Sequence, residues 1–167
     1  MQQRRKEDEQ IMKSVLIRIP PKQCALIASG KKTIVVLKTY PKLPTPFKCS
    51  IYCTSVKSMN LQDYVAVHQA TGGAVDDWSG KVFSEFVCDL IGLHPGTDVP
   101  SSCVPVEELK KYANGKMLAR LHISDVKIYD KPRELSEFIG LRKTKFGFEP
   151  VAIKRPPQSW CYVEEMP

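Results

Sequence analysis

The sequence predicts an α+β fold, mostly β, in which about six short strands form a small mixed barrel flanked by two or three short helices. Three observations predict it. The chain has 167 residues, the size of one ordinary domain, with 43% hydrophobic and 26% charged residues. Strand-like segments, short and β-branched or alternating, outnumber helical ones. Proline and glycine clusters separate these segments, and no internal repeat is present. A chain of this length buries roughly 70% of its unfolded surface, so it needs no disulfide or metal to fold.

The elements follow in order. Residues 1–13 are polar and mixed in charge and form an arm ahead of one domain over 14–167. Ser14–Ile19 is a strand that Pro20-Pro21 stops, and Pro21 suits the first turn of a helix over Lys22–Ser29 that Gly30 caps. Lys32–Thr39 is a β-branched strand, and Pro41, Pro44 and Pro46 mark an extended loop after it. Lys48–Thr54 alternates, with Cys49, Ile51 and Cys53 on one face.

Ser55–Ser79 reads as an excursion with a short helix near Leu61–Gln69, and Asp76-Asp77 beside Trp78 reads as loop. Lys81–Ile91 is a strand with Val82, Phe86, Cys88 and Leu90 on one face. Val106–Ala113 is a helix ended by Asn114-Gly115. Lys116–Tyr129 is a long strand whose apolar residues switch from odd positions (Met117 to Ile123) to even ones (Val126, Ile128), which predicts a β-bulge near Ser124-Asp125. Glu134–Ile139 is a helical turn, residues 140–156 are basic loop, and Ser159–Glu164 is the last strand.

Six cysteines, at 24, 49, 53, 88, 103 and 161, form no C-x-x-C pair, and no histidine stands at zinc-ligand spacing from them. They read as reduced thiols that serve mostly as small buried hydrophobes, and no metal or cofactor is implied. No stretch approaches the roughly 20 apolar residues of a membrane span. Met1–Gln10 is charged, with no apolar segment behind it, so a cytoplasmic location without membrane contact is expected.

The net charge of +7 is uneven. Residues 15–48 hold seven bases and no acid, 49–115 hold four bases and eight acids, and 131–157 hold seven bases and three acids. Brought together, the two basic segments make a positive face for a polyanion; kept apart, they are solvated lysines and arginines.

The run Val15-Leu16-Ile17-Arg18-Ile19-Pro20-Pro21, followed by Ile27-Ala28-Ser29-Gly30-Lys31-Lys32-Thr33-Ile34, resembles the opening of ASCH domains, a family of the PUA-like superfamily. Ser50–Thr54, Gly80–Phe86 and the ending Arg155–Tyr162 extend the likeness over most of residues 14–165, and the ending is similar to small ASCH proteins of bacteria and their phages. The resemblance implies a PUA-like β-barrel with a cleft for RNA or a nucleotide. It also implies an alternative activity, because some small members are amidohydrolases that deacetylate acetylated cytidine with a lysine, a threonine and a glutamate. Lys32 matches the lysine of the family's Lys-Thr motif. The threonine of those enzymes falls at Val35, and no residue matches the glutamate by motif. Other members carry Glu and Arg where this chain has Val35 and Leu37, and Pro20 replaces a family lysine. A charged face has thus become largely apolar, which points to a changed ligand or lost catalysis.

The candidate ligand-binding residues are Lys22, Lys31, Lys32, Thr33, Lys38, Arg155, Gln158 and Trp160. The lysines and Arg155 suit phosphates, Thr33 and Gln158 suit hydrogen-bonding to a ligand, and Trp160 with Tyr162 suits base stacking if exposed. A packed aromatic pair is the favoured reading of Trp160 and Tyr162, and a capped-helix setting is the favoured reading of Glu107 and Glu108. Lys32 is the catalytic candidate only in the hydrolase reading. Three functions remain open: binding of RNA or a nucleotide, hydrolysis of a modified nucleoside, and docking of an acidic protein partner. The oligomeric state is not encoded in any of these features.

Overall fold

The computed structural model describes residues 12–166. In chain order they form β1 (Lys13–Ile19), α1 (Pro21–Ala28), β2 (Ile34–Leu37), β3 (Phe47–Cys53), α2 (Leu61–Ala70), α3 (Ala74–Trp78) and β4 (Val82–His94). Then come α4 (Val106–Ala113), β5 (Leu118–Arg133), β6 (Ile139–Thr144), β7 (Gly147–Ala152) and β8 (Trp160–Glu164). Short 3-10 turns lie at Val56–Ser58, Pro100–Ser102 and Leu135–Glu137.

The fold is mixed α+β, as the sequence predicts, with eight strands in one sheet ordered β2-β5-β4-β3-β1-β8-β6-β7. The expected barrel does not close, because β2 and β7 are the two ends of the ladder. β1 and β3 are parallel and the other pairings are antiparallel. A parallel neighbour needs a crossover, and here α1 and β2 lie between β1 and β3 in sequence.

The run Ser14–Ile17 is buried on both faces of β1, which is why its sequence reads as a continuous apolar run. Val15, Ile17 and Ile19 join Cys49, Ile51, Phe83, Phe86 and Leu121 in the main core. Leu16 packs on the opposite face with Val82, Phe138 and Val163. A third cluster, with Leu109, Ala113, Val99 and Leu118, holds α4 against the end of the sheet. Four cysteines are buried, Cys103 and Cys161 are half-buried, and all six are free thiols. Among the described residues no helix is long and apolar enough to cross a membrane.

The bulge expected near Ser124-Asp125 is present. Glu85 faces Lys127 while Val87 faces Ser124, so β5 carries one extra residue there, and Asp125 adopts φ +49°. Val126 and Ile128, beyond the bulge, are exposed.

Four further expectations are corrected. Residues 140–156 are not loop throughout, because most of β6 and all of β7 lie there and form a hairpin. Their single apolar face and dense charge mask the strand period, and Arg142 pairs with Glu149 across the hairpin. Asp76-Asp77-Trp78 belongs to α3, and Trp78 stacks on Phe83 with ring centroids 4.2 Å apart. Leu90 is 64% exposed, because the β4–β5 register shifts between Cys88 and Ile91. β2 is shorter than expected, since the Lys32 and Thr33 amides donate to Leu26 and Ser101 carbonyls at 3.0 and 2.9 Å. The predicted arm over 1–13 lies outside the described residues except Met12 and Lys13, and Lys13 opens β1.

Phe83 is fully buried and Phe146 is 91% exposed. Phe83→Ala is expected to cost about 3–5 kcal/mol in urea unfolding, and Phe146→Ser less than about 0.5 kcal/mol.

Candidate functional site

A cleft of about 640 Å³ opens where the end of β1, the start of α1, β2 and α4 converge. One wall is apolar, with Val35, Val36 and Leu37 of β2 and Leu109 of α4. The ionisable groups around it are Arg18, Lys32, Lys38, Glu108 and Tyr112, and the amides of Gln23 and Gln158 complete the rim.

Lys32 is placed by the exit from α1. Gly30 takes φ +81° and donates its amide to the Ile27 carbonyl at 3.1 Å, closing the helix in the left-handed conformation that glycine favours. The chain then returns so that the Lys32 amide meets Leu26. The Lys32 ammonium donates to the Ser102 carbonyl and only 5% of the residue is exposed. The 3-10 turn at Pro100–Ser102 and Cys103 after it are tied to the segment before β2 twice more: the Thr33 amide donates to Ser101, and the Cys103 thiol donates to the Lys31 carbonyl at 3.4 Å. Burial lowers the Lys32 pKa from its ordinary 10.5 to about 8, opposed by the nearby Cys103 and Cys24 thiols.

Arg18 is the one outward, exposed residue in an otherwise buried stretch of β1. Its amide donates to the Ser159 carbonyl at 2.8 Å, which brings Gln158 to the rim. Glu108 and Tyr112 stand four residues apart on α4 and therefore share a face. The Lys38 amide donates to the Tyr112 hydroxyl at 3.2 Å, and the Lys38 ammonium lies 4.8 Å from the centre of that ring. The Gln23 Oε1 is shielded from solvent without a hydrogen-bond partner among the described residues.

Of the residues expected from the sequence, Lys32, Lys38 and Gln158 line this cleft together. Lys22 lines a neighbouring cleft that shares Gln158. Lys31, Thr33, Arg155 and Trp160 line neither. Lys31 and Arg155 are exposed, and Thr33 is engaged through its main chain. Trp160 forms a T-shaped pair with Tyr162 at 5.0 Å and donates its indole N–H to Thr39 at 3.0 Å, the packed arrangement the sequence favoured. The basic segment 131–157 contributes nothing to either lining, so the two basic segments do not merge there.

Sequence reasoning missed Arg18, Gln23, Glu108 and Tyr112 as cleft residues. Arg18 did carry a signal, a lone charge inside an apolar run. Glu108 and Tyr112 carried a weaker one, the spacing of four beside buried Leu109 and Ala113. Among the described residues, no group of three or more His, Cys, Asp or Glu is arranged to hold a metal ion.

A lysine whose pKa is lowered on folding costs stability wherever the unfolded chain is protonated and the folded one resists it. That cost is full below pH 8 and is relieved as pH rises from about 8 to 10.5. In urea unfolding, the stability of Lys32→Met relative to wild type is therefore expected to fall by about 3 kcal/mol between pH 7.5 and 10.5. Parallel pH profiles of the two proteins would contradict the burial of a titrating amine.

No family model and no curated protein sequence matches the chain. Among solved structures it is similar to the crystal structure of ASCH from Zymomonas mobilis, with a TM-score of 0.54 and 14% identity over 91% of this chain and 88% of that one. A single-substitution mutant of the same protein gives 0.53 and 14%, over 91% of each chain. The open eight-stranded sheet with its flanking helices is thus the fold of an ASCH domain.

Proposed function

We propose that the chain binds RNA or a nucleotide in the Lys32 cleft. The observation that carries this reading is the Lys32 amine itself, buried at the cleft with one backbone carbonyl as its partner. A cation withdrawn from water is costly unless an anion meets it, and a phosphate is such an anion.

The other groups support the same ligand. Arg18 and Lys38 add positive charge against the single carboxylate of Glu108. Val36 and Tyr112, both half-buried, offer an apolar and aromatic surface to a base. Gln23 and Gln158 carry both donors and acceptors, which suits a base edge. Val35 and Leu37 bring no charge, so recognition falls to the rim and to Lys32.

The test is fluorescence anisotropy with a labelled single-stranded RNA hexamer. Three phosphate contacts predict a loss of about 20-fold in affinity between 50 and 200 mM salt. Lys32→Ala is expected to weaken binding about tenfold or more at low salt, the scale of one charge-assisted contact. No binding by the wild type at low salt would overturn the reading.

A second reading, hydrolysis of an acetylated nucleoside, is favoured by one feature: an amine with a pKa of about 8 and the Glu108 carboxylate line the same cleft. Val35 supplies no hydroxyl where the deacetylases it resembles use one. Under the binding reading, acetylated cytidine is returned unchanged after prolonged incubation. Acetate release that disappears in Lys32→Ala would establish the hydrolase instead.

A further inference from the structure

A second cleft of about 500 Å³ adjoins the first and shares Arg18, Pro20 and Gln158 with it. It is lined beyond them by Lys22 at the start of α1, by Thr54 after β3, and by Ser58, Met59 and Asp63 before and within α2. Each cleft falls within the size range of a site for one small organic ligand. Together they exceed what one nucleoside needs.

The chemistry of the second cleft differs from that of the first. It offers two hydroxyls, from Thr54 and Ser58, and the carboxylate of Asp63. One carboxylate oxygen of Asp63 accepts from the Asn60 side-chain amide at 3.0 Å. The carboxylate disfavours a phosphate in contact with it, and the carboxylate and hydroxyl oxygens accept from sugar hydroxyls and base amines. Met59 and Pro21 supply apolar surface.

Between the clefts stands Arg18, which is exposed and forms no ion pair among the described residues. A guanidinium presents a fork that matches two phosphate oxygens. The arrangement alternates in the order of a nucleic acid strand: a pocket, a phosphate-binding fork, a pocket.

Resting on the binding reading above, we infer that the ligand is a single-stranded ribonucleotide chain of at least two nucleotides, seated across both clefts with a phosphodiester at Arg18. A free nucleoside or mononucleotide leaves the second cleft empty. A duplex keeps its bases stacked and cannot insert them into pockets.

Calorimetric titration of the full chain with a mixed-sequence ribotetranucleotide, and separately with the matching mixture of 5′-mononucleotides, tests this. The tetranucleotide is expected to bind at least about tenfold tighter, because the second unit binds intramolecularly. That ratio is expected to collapse toward one in Ser58→Phe, which fills the second cleft, and in Lys22→Glu, which reverses its cation. Tight mononucleotide binding with a wild-type ratio near one overturns the two-nucleotide inference and leaves the binding reading standing. A high ratio unchanged in both variants overturns it too, since the strand then runs elsewhere. No binding of either probe overturns both.

Discussion

The Lys32 ammonium is held out of water against the carbonyl of Ser102, 70 residues away in the chain. Much of the cleft depends on that contact. It fixes the 3-10 turn at Pro100–Ser102 against the start of β2, together with the Thr33–Ser101 and Cys103–Lys31 bonds. The turn in turn leads into α4, which carries Glu108 and Tyr112 to the rim. A buried amine with a neutral partner is a poor stabiliser compared with an apolar residue of its size. Under the proposed reading, its presence makes sense as preorganised charge, already desolvated where a phosphate would bind.

The sheet edge is part of the same construction. β2 is an end strand and only four residues long. Short edge strands whose flanking amides are occupied resist pairing with other chains. Here the amide before β2 is taken by Ser101 and the amide after it by the Tyr112 hydroxyl. Ile34 and Val36 pack toward α4 while Val35 and Leu37 enter the main core. The strand is thus clamped on both faces, and its apolar character has a structural reason apart from any ligand.

The elements with strong local patterning were legible in the sequence. β1 is a continuous apolar run, α1 lies between proline and glycine signals, and the phase change in β5 marks its bulge. The β6–β7 hairpin was not, because Arg142, Lys143 and Lys145 dominate a segment that needs only one apolar face. α3 was hidden because it is five residues long and its Trp78 finds a partner, Phe83, across a turn. At the cleft, Lys32 was legible through the Lys-Thr motif that the run Ser29-Gly30-Lys31-Lys32-Thr33 resembles. Arg18 and Tyr112 become neighbours of the same cleft only through tertiary packing, which no local period records. Arg155 and Trp160 show the reverse: suitable chemistry near the end of the chain, turned to solvent in one case and into packing in the other.

Under the proposed reading, Lys32 is a desolvated cation that an anionic ligand meets. The most direct measurement is the pH titration of its 13Cε resonance in lysine-labelled protein, assigned with Lys32→Arg, without and with a ribotetranucleotide. A midpoint near 8 is expected in the free protein, moving upward when phosphate stabilises the ammonium. A midpoint at the ordinary 10.5, unmoved by the oligonucleotide, would contradict it.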